Sequence, residues 1–319
     1  GSINNAEVVT VETGVDINAN ATVQGQGGKV IVWADDTARF NGSIEARGAG
    51  ESGDGGFVET SGKRSLIVGG SVNVGADQGQ GGSWLLDPLS ITISNDPDTI
   101  AATATPFQPD ADGSVLNAAT LNAALLTGDV TVQTVSDVTL QSGSSIEMDS
   151  GFVDFEAGND ITLESGSSIE LVTGGVNFDA ENNISLEGTS SIKSDSGAVQ
   201  LNANNDISTH FGSLIQTASG AVTLIANYDF DGGGNLNHVG IVSSTAGGVI
   251  TTDSVNFTSI LGTVFSFGKI EINTGRGGQD SINVINNLFG DDVSVNGNSG
   301  QDSYGILHTD NAYTIDGGD

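Results

Sequence analysis

The feature that most constrains this chain is a sequence repeat with a period of 23 residues. The stretch VTLQSGSSIE begins at Val138, ITLESGSSIE begins at Ile161, and ISLEGTSSIK begins at Ile184. A weaker fourth copy begins at Ile207, so that repeats occupy residues 138–229 without a gap. A fixed period of this length is typical of solenoids, in which each unit buries its apolar face only against its neighbours.

Apolar and polar residues alternate within each copy. In the second copy Val176, Phe178 and Ala180 are apolar, whereas Asn177 and Asp179 between them are polar. This spacing of two predicts a strand with one buried and one solvated face. Each copy holds about three such segments separated by glycine or asparagine turns, which favours a parallel β-helix. A propeller blade needs about 40 residues, and the leucine-rich repeat consensus is absent. The aligned inward positions include Val153, Val176, Val199 and Val222, and then Phe155, Phe178, Leu201 and Leu224.

Weaker repeats extend this prediction towards the start of the chain. FNGSIEARG, starting at Phe40, matches VGGSVNVGA, starting at Val68, with an offset of 28 residues. VDINANATV, starting at Val15, precedes the first of these at an offset of about 23 residues. We therefore expect further coils of the same β-helix before the regular repeats, and longer, looser coils after them.

The segment 94–127 interrupts the pattern. It holds three of the four prolines and an alanine-rich run, ATLNAALLTGD. We expect a short helix capped by Thr120 and running through Leu126, with Leu121 and Leu125 against the solenoid because they are four residues apart. The predicted organisation is a remnant of cloning at 1–2, coils at 3–93, an excursion at 94–127, coils at 128–272, and Gly- and Asp-rich coils at 273–319.

The charge balance excludes several classes of partner. The chain carries 40 acidic residues against 8 basic ones, for a formal net charge of −32. Such a surface repels nucleic acid backbones and anionic lipid headgroups, so we expect neither as a partner. The absence of cysteine excludes disulfides and thiolate sites. No apolar run approaches the roughly 20 residues of a membrane span, so we expect no membrane insertion. No signal peptide is visible, and we expect an internal fragment of a longer protein.

Three phrases in the first part of the chain occur in a recognisable order. They are GKVIVWAD at Gly28–Asp35, GDGGFVETSGK at Gly53–Lys63, and LLDPLSITI at Leu85–Ile93. The chain resembles the filamentous-hemagglutinin-like exoproteins of two-partner secretion systems, and TLNAALLTGDVTVQT at Thr120–Thr134 resembles the segment that often follows. The resemblance covers about the first 135 residues specifically.

This resemblance implies a right-handed parallel β-helix that is secreted or held at the cell surface of a Gram-negative-type bacterium. It implies export by a dedicated outer-membrane transporter and a role in adhesion, aggregation or biofilm. The family offers no catalytic motif to carry over. Its secretion-signal domain, with Asn-Pro-Asn motifs, does not occur here, which fits an internal fragment.

Two recurring turns near the end of the chain are candidate calcium sites. GGQDSINV at Gly277–Val284 recurs as SGQDSYGI at Ser299–Ile306. Asp280 and Asp302 lie in these turns, where backbone carbonyls would add to the carboxylate oxygens that Ca²⁺ prefers. The alternative is an Asp that accepts hydrogen bonds from its own turn. The period of calcium β-rolls is nine residues, unlike the 22 found here.

A glycine-rich stretch, DFDGGGNLNHV at Asp229–Val239, breaks the period and is the candidate ligand-contact loop. Loops that project from a solenoid tend to gather binding residues. A long flexible turn is the alternative interpretation. The candidate contact residues in this loop are Asp229, Asp231, Asn235, Asn237 and His238.

Other polar residues recur at aligned positions in the repeats. The asparagines are expected to stack at a turn and to bond to one another along the solenoid, a structural role. Paired carboxylates at outward positions would recruit Ca²⁺ only if further oxygen ligands were supplied, so solvated side chains are the simpler interpretation. The asparagines are Asn159, Asn182 and Asn205, and the carboxylate pairs are Glu164 with Glu187, Glu156 with Asp179, and Glu147 with Glu170.

Catalysis is not expected. The three histidines, His210, His238 and His308, are far apart in sequence, and Lys193 is the only basic residue in the regular repeats. No nucleophile elbow, zinc spacing or phosphate loop occurs. The function expected is therefore a rigid, non-catalytic adhesin stalk that presents loops to a host cell, a neighbouring cell or a matrix glycan. The alternatives are a calcium-dependent surface-layer module and a polysaccharide-cleaving β-helix enzyme.

Overall fold

The computed structural model describes residues 4–95, 114–226, 234–254, 257–260, 262–274, 281–284, 288–297, 303–306 and 313–316. The chain forms two compact units, Gly1–Ala157 and Gly158–Asp319. Short parallel strands make up each unit, and one helix occurs among the described residues. The predicted parallel β-helix is confirmed, because strands of successive coils pair side by side instead of forming hairpins.

The first unit begins with three coils of three strands each. Strands that follow the same turn pair with one another, which gives three sheets running along the unit. The strands are β1 (Val8–Val11), β2 (Asp16–Asn18), β3 (Lys29–Ala34), β4 (Thr37–Phe40), β5 (Ser43–Glu45), β6 (Phe57–Gly62), β7 (Ser65–Val68), β8 (Ser71–Asn73) and β9 (Gly82–Pro88).

The register of these coils tests the predicted offsets. Ser43 pairs with Ser71, which confirms the offset of 28 between the second and third coils. Asp16 pairs with Ser43, an offset of 27, so the expected offset of about 23 was wrong. The difference arises because the glycine-rich turn before β3 makes this coil longer than the regular repeats.

The remainder of the first unit contains the predicted excursion. Its elements are β10 (Ile91–Ser94), β11 (Ser114–Asn117), α1 (Ala118–Leu125), β12 (Gly128–Thr134), β13 (Val138–Leu140), β14 (Ser145–Met148) and β15 (Phe152–Ala157). Strand β11 lies between β7 and β10 in the sheet, out of chain order. The described end of the excursion is therefore an integral part of the solenoid and not a projection from it.

Helix α1 begins earlier than expected. Asn117, not Thr120, is the N-cap, and its side-chain oxygen accepts a hydrogen bond of 2.8 Å from the backbone N–H of Ala119. Leu121 and Leu125 are fully buried, as their spacing predicted. The helix contacts β8 and β14, so it takes the place that a strand occupies in the second sheet of the earlier coils.

The second unit carries the regular repeats, and their predicted register is confirmed. Ile161 pairs with Ile184, and Ile184 pairs with Ile207. Phe178 pairs with Leu201 on the next coil, and its side chain is fully buried. The strands are β16 (Ile161–Leu163), β17 (Ser168–Leu171), β18 (Gly175–Ala180), β19 (Ile184–Leu186), β20 (Ser191–Ser194), β21 (Val199–Ala203), β22 (Ile207–Thr209), β23 (Leu214–Thr217) and β24 (Val222–Ala226).

Later coils keep the same parallel pairing with variable length. Ile207 pairs with Leu236, an offset of 29, so the extra residues lie between β24 and the next strand. Strand β29 pairs with both β26 and β27, so it spans two sides of a coil. The strands are β25 (Asn235–His238), β26 (Ile241–Ser244), β27 (Ile250–Ser254), β28 (Phe257–Ile260), β29 (Thr263–Thr274), β30 (Ser281–Val284), β31 (Leu288–Asn296), β32 (Ser303–Ile306) and β33 (Tyr313–Asp316).

Candidate functional site

The largest concave surface described in the first unit lies at the turn that precedes β3, β6, β9 and β12. It consists of three adjoining hollows of 720, 460 and 250 Å³. The first two share Gly81 and Asp129, and the last two share Phe57 and Ser83. We call this continuous surface the glycine groove. It runs from the end of α1 to the outer face of the sheet formed by β3, β6, β9, β12 and β15.

Glycines form the floor of the glycine groove because the coils approach one another too closely for side chains. A Cβ atom on Gly56 would lie 2.1 Å from the carbonyl oxygen of Gly28, and one on Gly82 would lie 2.0 Å from that of Gly56. A Cβ atom on Gly128 would likewise lie 2.3 Å from the oxygen of Gly82. The sequence signal is the motif Gly-x-Gly-Gly, which recurs at 25–28, 53–56 and 79–82 and which the sequence analysis missed.

An aromatic ring lies where the groove meets the sheet. Phe57 on β6 is half-buried, and the Lys29 ammonium on β3 lies 4.7 Å from the centre of its ring, a cation–π distance. Ser83 on β9 is the next residue in register, followed by Asp129 on β12. Since serine is small, it leaves the hollow open beside the phenylalanine ring.

Polar side chains complete the wall opposite Phe57. The side-chain amide of Gln133 on β12 donates a hydrogen bond of 2.6 Å to the carboxylate of Glu156 on β15. Asp129 reaches solvent, but the protein around its carboxyl group desolvates it and raises its pKa, an effect that a hydrogen bond from the Phe152 backbone opposes. The groove thus offers one aromatic ring, one amide and two carboxyl groups within a few strands.

A second pair of carboxyl groups lies further along the outer face of the same sheet. Burial raises the pKa of Asp87 on β9, and the nearby Glu59 carboxylate on β6 raises it further. The Ser61 hydroxyl donates a hydrogen bond of 3.0 Å to Glu59 and pairs in register with Asp87. Asp87 therefore holds its proton to a higher pH than an isolated aspartic acid.

The three phrases behind the family resemblance contact one another across coils. The Lys63 ammonium lies 5.0 Å from the centre of the Trp33 ring and forms an ion pair of 2.9 Å with Asp35. The indole N–H of the buried Trp84 donates to the Thr60 hydroxyl at 3.0 Å. These contacts give the phrases a structural role in fixing neighbouring coils.

An arginine fixes the same turn of the first unit. Two nitrogens of Arg64 donate to the two carboxylate oxygens of Asp36, at 2.6 and 2.9 Å. This pairing with Arg64 lowers the pKa of the Asp36 carboxyl group. The bidentate geometry binds the second coil to the third at the turn that follows β3.

Of the predicted ligand-contact loop, the described part is a strand. Asn235, Asn237 and His238 lie in β25, so the expectation that they belong to a loop was wrong. His238 is 1% exposed and has no access to a ligand in solvent. Asp229 and Asp231, together with the predicted calcium residues Asp280 and Asp302, lie outside the described residues.

The asparagine ladder is confirmed, and a second column accompanies it. Asn182 donates through its side-chain amide to Asn159 at 3.1 Å, and Asn205 donates to Asn182 at 3.4 Å. In the second column Asp160 accepts from the backbone and side-chain nitrogens of Asn183, at 3.0 and 3.1 Å. The role of these residues is to satisfy backbone groups at a corner of the coil.

The carboxylates of the second unit have partners other than a metal. Glu170 forms an ion pair of 2.8 Å with Lys193 on the next coil. Asp179 accepts a hydrogen bond of 2.6 Å from the Asn202 amide. In the part of the chain that the structure describes, no group of three or more His, Cys, Asp or Glu side chains is placed to hold a metal ion.

Comparisons with known proteins do not name a family. In the described ranges, no helix has the length and apolar character needed to span a membrane. A scan against models of known protein families finds no match, and a search of curated proteins finds no significant relative.

Proposed function

We propose that this chain is a β-helical segment of a secreted or surface-held bacterial adhesin that acts by binding and not by catalysis. The observation that carries the proposal is the order of the three phrases resembling filamentous-hemagglutinin-like exoproteins, which fall on three successive coils of one parallel β-helix. A stack of coils in register is stiff, because each coil is bonded to its neighbours along its length. Such a scaffold holds a binding surface away from the cell that carries it.

The charge supports the same proposal. With 40 acidic residues against 8 basic ones, the surface repels other anionic surfaces and needs a specific contact to hold a cell. The proposed partners are a host or neighbouring cell surface or a matrix glycan, reached after export by an outer-membrane transporter of the two-partner type.

Adhesion of coated beads tests this function. Beads carrying the purified chain should attach to bacterial or epithelial cell layers, or cause bacterial aggregation, in excess of beads carrying an unrelated protein of similar net charge. Attachment no greater than that of the charge-matched beads would refute the proposal.

A calcium-dependent surface-layer module is the second candidate, favoured by the recurrence of GGQDS at 277–281 as SGQDS at 299–303. Calcium bound only to the folded chain would raise its melting temperature. The measurement compares the chain with a double variant, Asp280→Asn with Asp302→Asn, in millimolar Ca²⁺ and in Mg²⁺. Equal melting temperatures with and without Ca²⁺ would exclude this candidate.

A further inference from the structure

We infer that the glycine groove of the first unit binds an uncharged glycan chain, with Phe57 and Gln133 as its principal contact residues. This inference takes its biological setting from the proposed adhesive function. Its structural basis is independent, because it depends on the shape and chemistry of the groove alone.

The shape of the groove suits an extended, polar ligand. The hollows adjoin one another across β6, β9 and β12, so a chain of several sugar rings would lie along them. Side chains cannot fill the floor, because Cβ atoms on Gly56 and Gly82 would collide with the neighbouring coil. The groove is therefore a fixed feature of the backbone and is formed before a ligand arrives.

The chemistry of the groove favours sugars. Phe57 supplies an apolar face for the C–H side of a sugar ring, and the Lys29 ammonium beside it supplies hydrogen-bond donors. Gln133 and Glu156, joined at 2.6 Å, supply amide and carboxylate groups that suit hydroxyls. One apolar surface with a few convergent polar groups is the usual composition of a small-molecule site.

The backbone bonding argues against a peptide. An extended peptide binds to sheets by pairing with a free strand edge. The backbone N–H groups of Gly56 and Gly82 already donate to Ala46 and Val74 on the preceding side of the coil, both at 2.7 Å. Strands β6 and β9 are each paired on both sides, so the groove offers no edge there.

The charge argues against acidic glycans. Asp129 and Glu156 line the groove, and the chain carries a formal net charge of −32. Sulfated or uronic-acid polymers would be repelled over a range of about a Debye length. The remaining class is a glycan of hexoses or N-acetylhexosamines.

Binding to an array of immobilised oligosaccharides tests the inference. The array holds uncharged, sulfated and sialylated oligosaccharides and extended peptides, and the strongest uncharged binder is then titrated by calorimetry. We expect binding to uncharged members, and we expect Phe57→Ala and Gln133→Ala each to weaken it by about tenfold. Gln200→Ala on β21, an exposed glutamine in the second unit, is the matched control and should leave the affinity unchanged.

The outcomes separate the two proposals. Binding only to acidic glycans or peptides, no binding to the array, or uncharged binding unaffected by Gln133→Ala would overturn the inference. Gln133 is exposed, so its variant remains informative even if Phe57→Ala does not fold. If coated beads adhere to cells and both groove variants adhere equally, the groove inference fails and the adhesive function stands. If the beads fail to adhere but the array binds, the reverse holds.

Discussion

The hydroxyl of Thr209 lies 2.5 Å from Nδ1 of His238, its register neighbour on the following coil. On the other side of the ring, Nε2 lies 3.2 Å from the carbonyl oxygen of Thr263. A carbonyl only accepts, so Nε2 carries the proton and Nδ1 accepts from the threonine hydroxyl. The imidazole is therefore neutral, buried and fully bonded between two coils.

This arrangement predicts that acid destabilises the second unit through one histidine. Burial lowers the pKa of His238 from 6.5 to about 4, and the bond to Thr263 opposes this only in part. The unfolded chain binds the proton more readily, so the stabilising contribution is complete above pH 6.5 and is lost as the pH falls towards 4. Between pH 7.5 and 5 the loss is roughly 2 kcal/mol.

Urea denaturation at both pH values measures this effect. His238→Gln should lower stability at pH 7.5 but remove the histidine's share of the pH dependence. His210→Gln, at an exposed histidine, is the control for general effects of acid on the many carboxylates. A pH dependence equal in wild type and His238→Gln would contradict the prediction.

The second polar column predicts a charge-dependent cost at Asn183. Its amide donates to Asp160, while its oxygen accepts the backbone N–H of Asp206 at 3.1 Å. Asn183→Asp keeps the acceptor but places a carboxylate against Asp160, so we expect a loss of about 1–3 kcal/mol at pH 7. Part of this should be regained near pH 4 as the carboxylates protonate. Asn183→Ala should show a loss without that recovery, and identical pH profiles for the two variants would count against this account.

The sequence predicted the fold where its period was regular. At Ile161, Ile184 and Ile207 the apolar spacing recurs without interruption, so the register followed directly. At β25 it failed, because NLNH has one central apolar residue and follows three glycines, which is typical of a loop. Pairing with β22 and β28 supplies the missing stabilisation, and that information lies in other coils.

The candidate site was less accessible to sequence reasoning. Its floor is made of backbone, and Gly56 and Gly82 carry no chemistry that a motif search would select. Phe57 and Gln133 lie far apart in the chain and share one surface only because β6, β9 and β12 are adjacent. The recurring Gly-x-Gly-Gly motif was the available signal, and it indicated a close approach of coils and not a ligand.

The close approach predicts that the glycine corner tolerates no side chain. Gly56→Ala would place a methyl group 2.1 Å from the Gly28 oxygen, which forces the coils apart and should cost about 1–3 kcal/mol or more. Gly75→Ala is the matched control, because its Cβ would lie no closer than 3.2 Å to any listed neighbour side chain or backbone atom, the nearest being the Asn73 oxygen. Denaturation midpoints of the two variants compare the costs, and equal midpoints would contradict the packing described for this corner.

The inward column at Phe178 predicts that the repeats tolerate substitutions borrowed from one another. Phe178 pairs with Leu201, and Leu201 pairs with Leu224, so leucine already fills the equivalent space in two later coils. Phe178→Leu should therefore cost less than about 1.5 kcal/mol, whereas Phe178→Ala should cost about 3–5 kcal/mol because it leaves a cavity. Urea denaturation followed by circular dichroism gives both values. A leucine variant as unstable as the alanine variant would show that each coil packs its own side chains and that the equivalence of the aligned positions stops at the backbone.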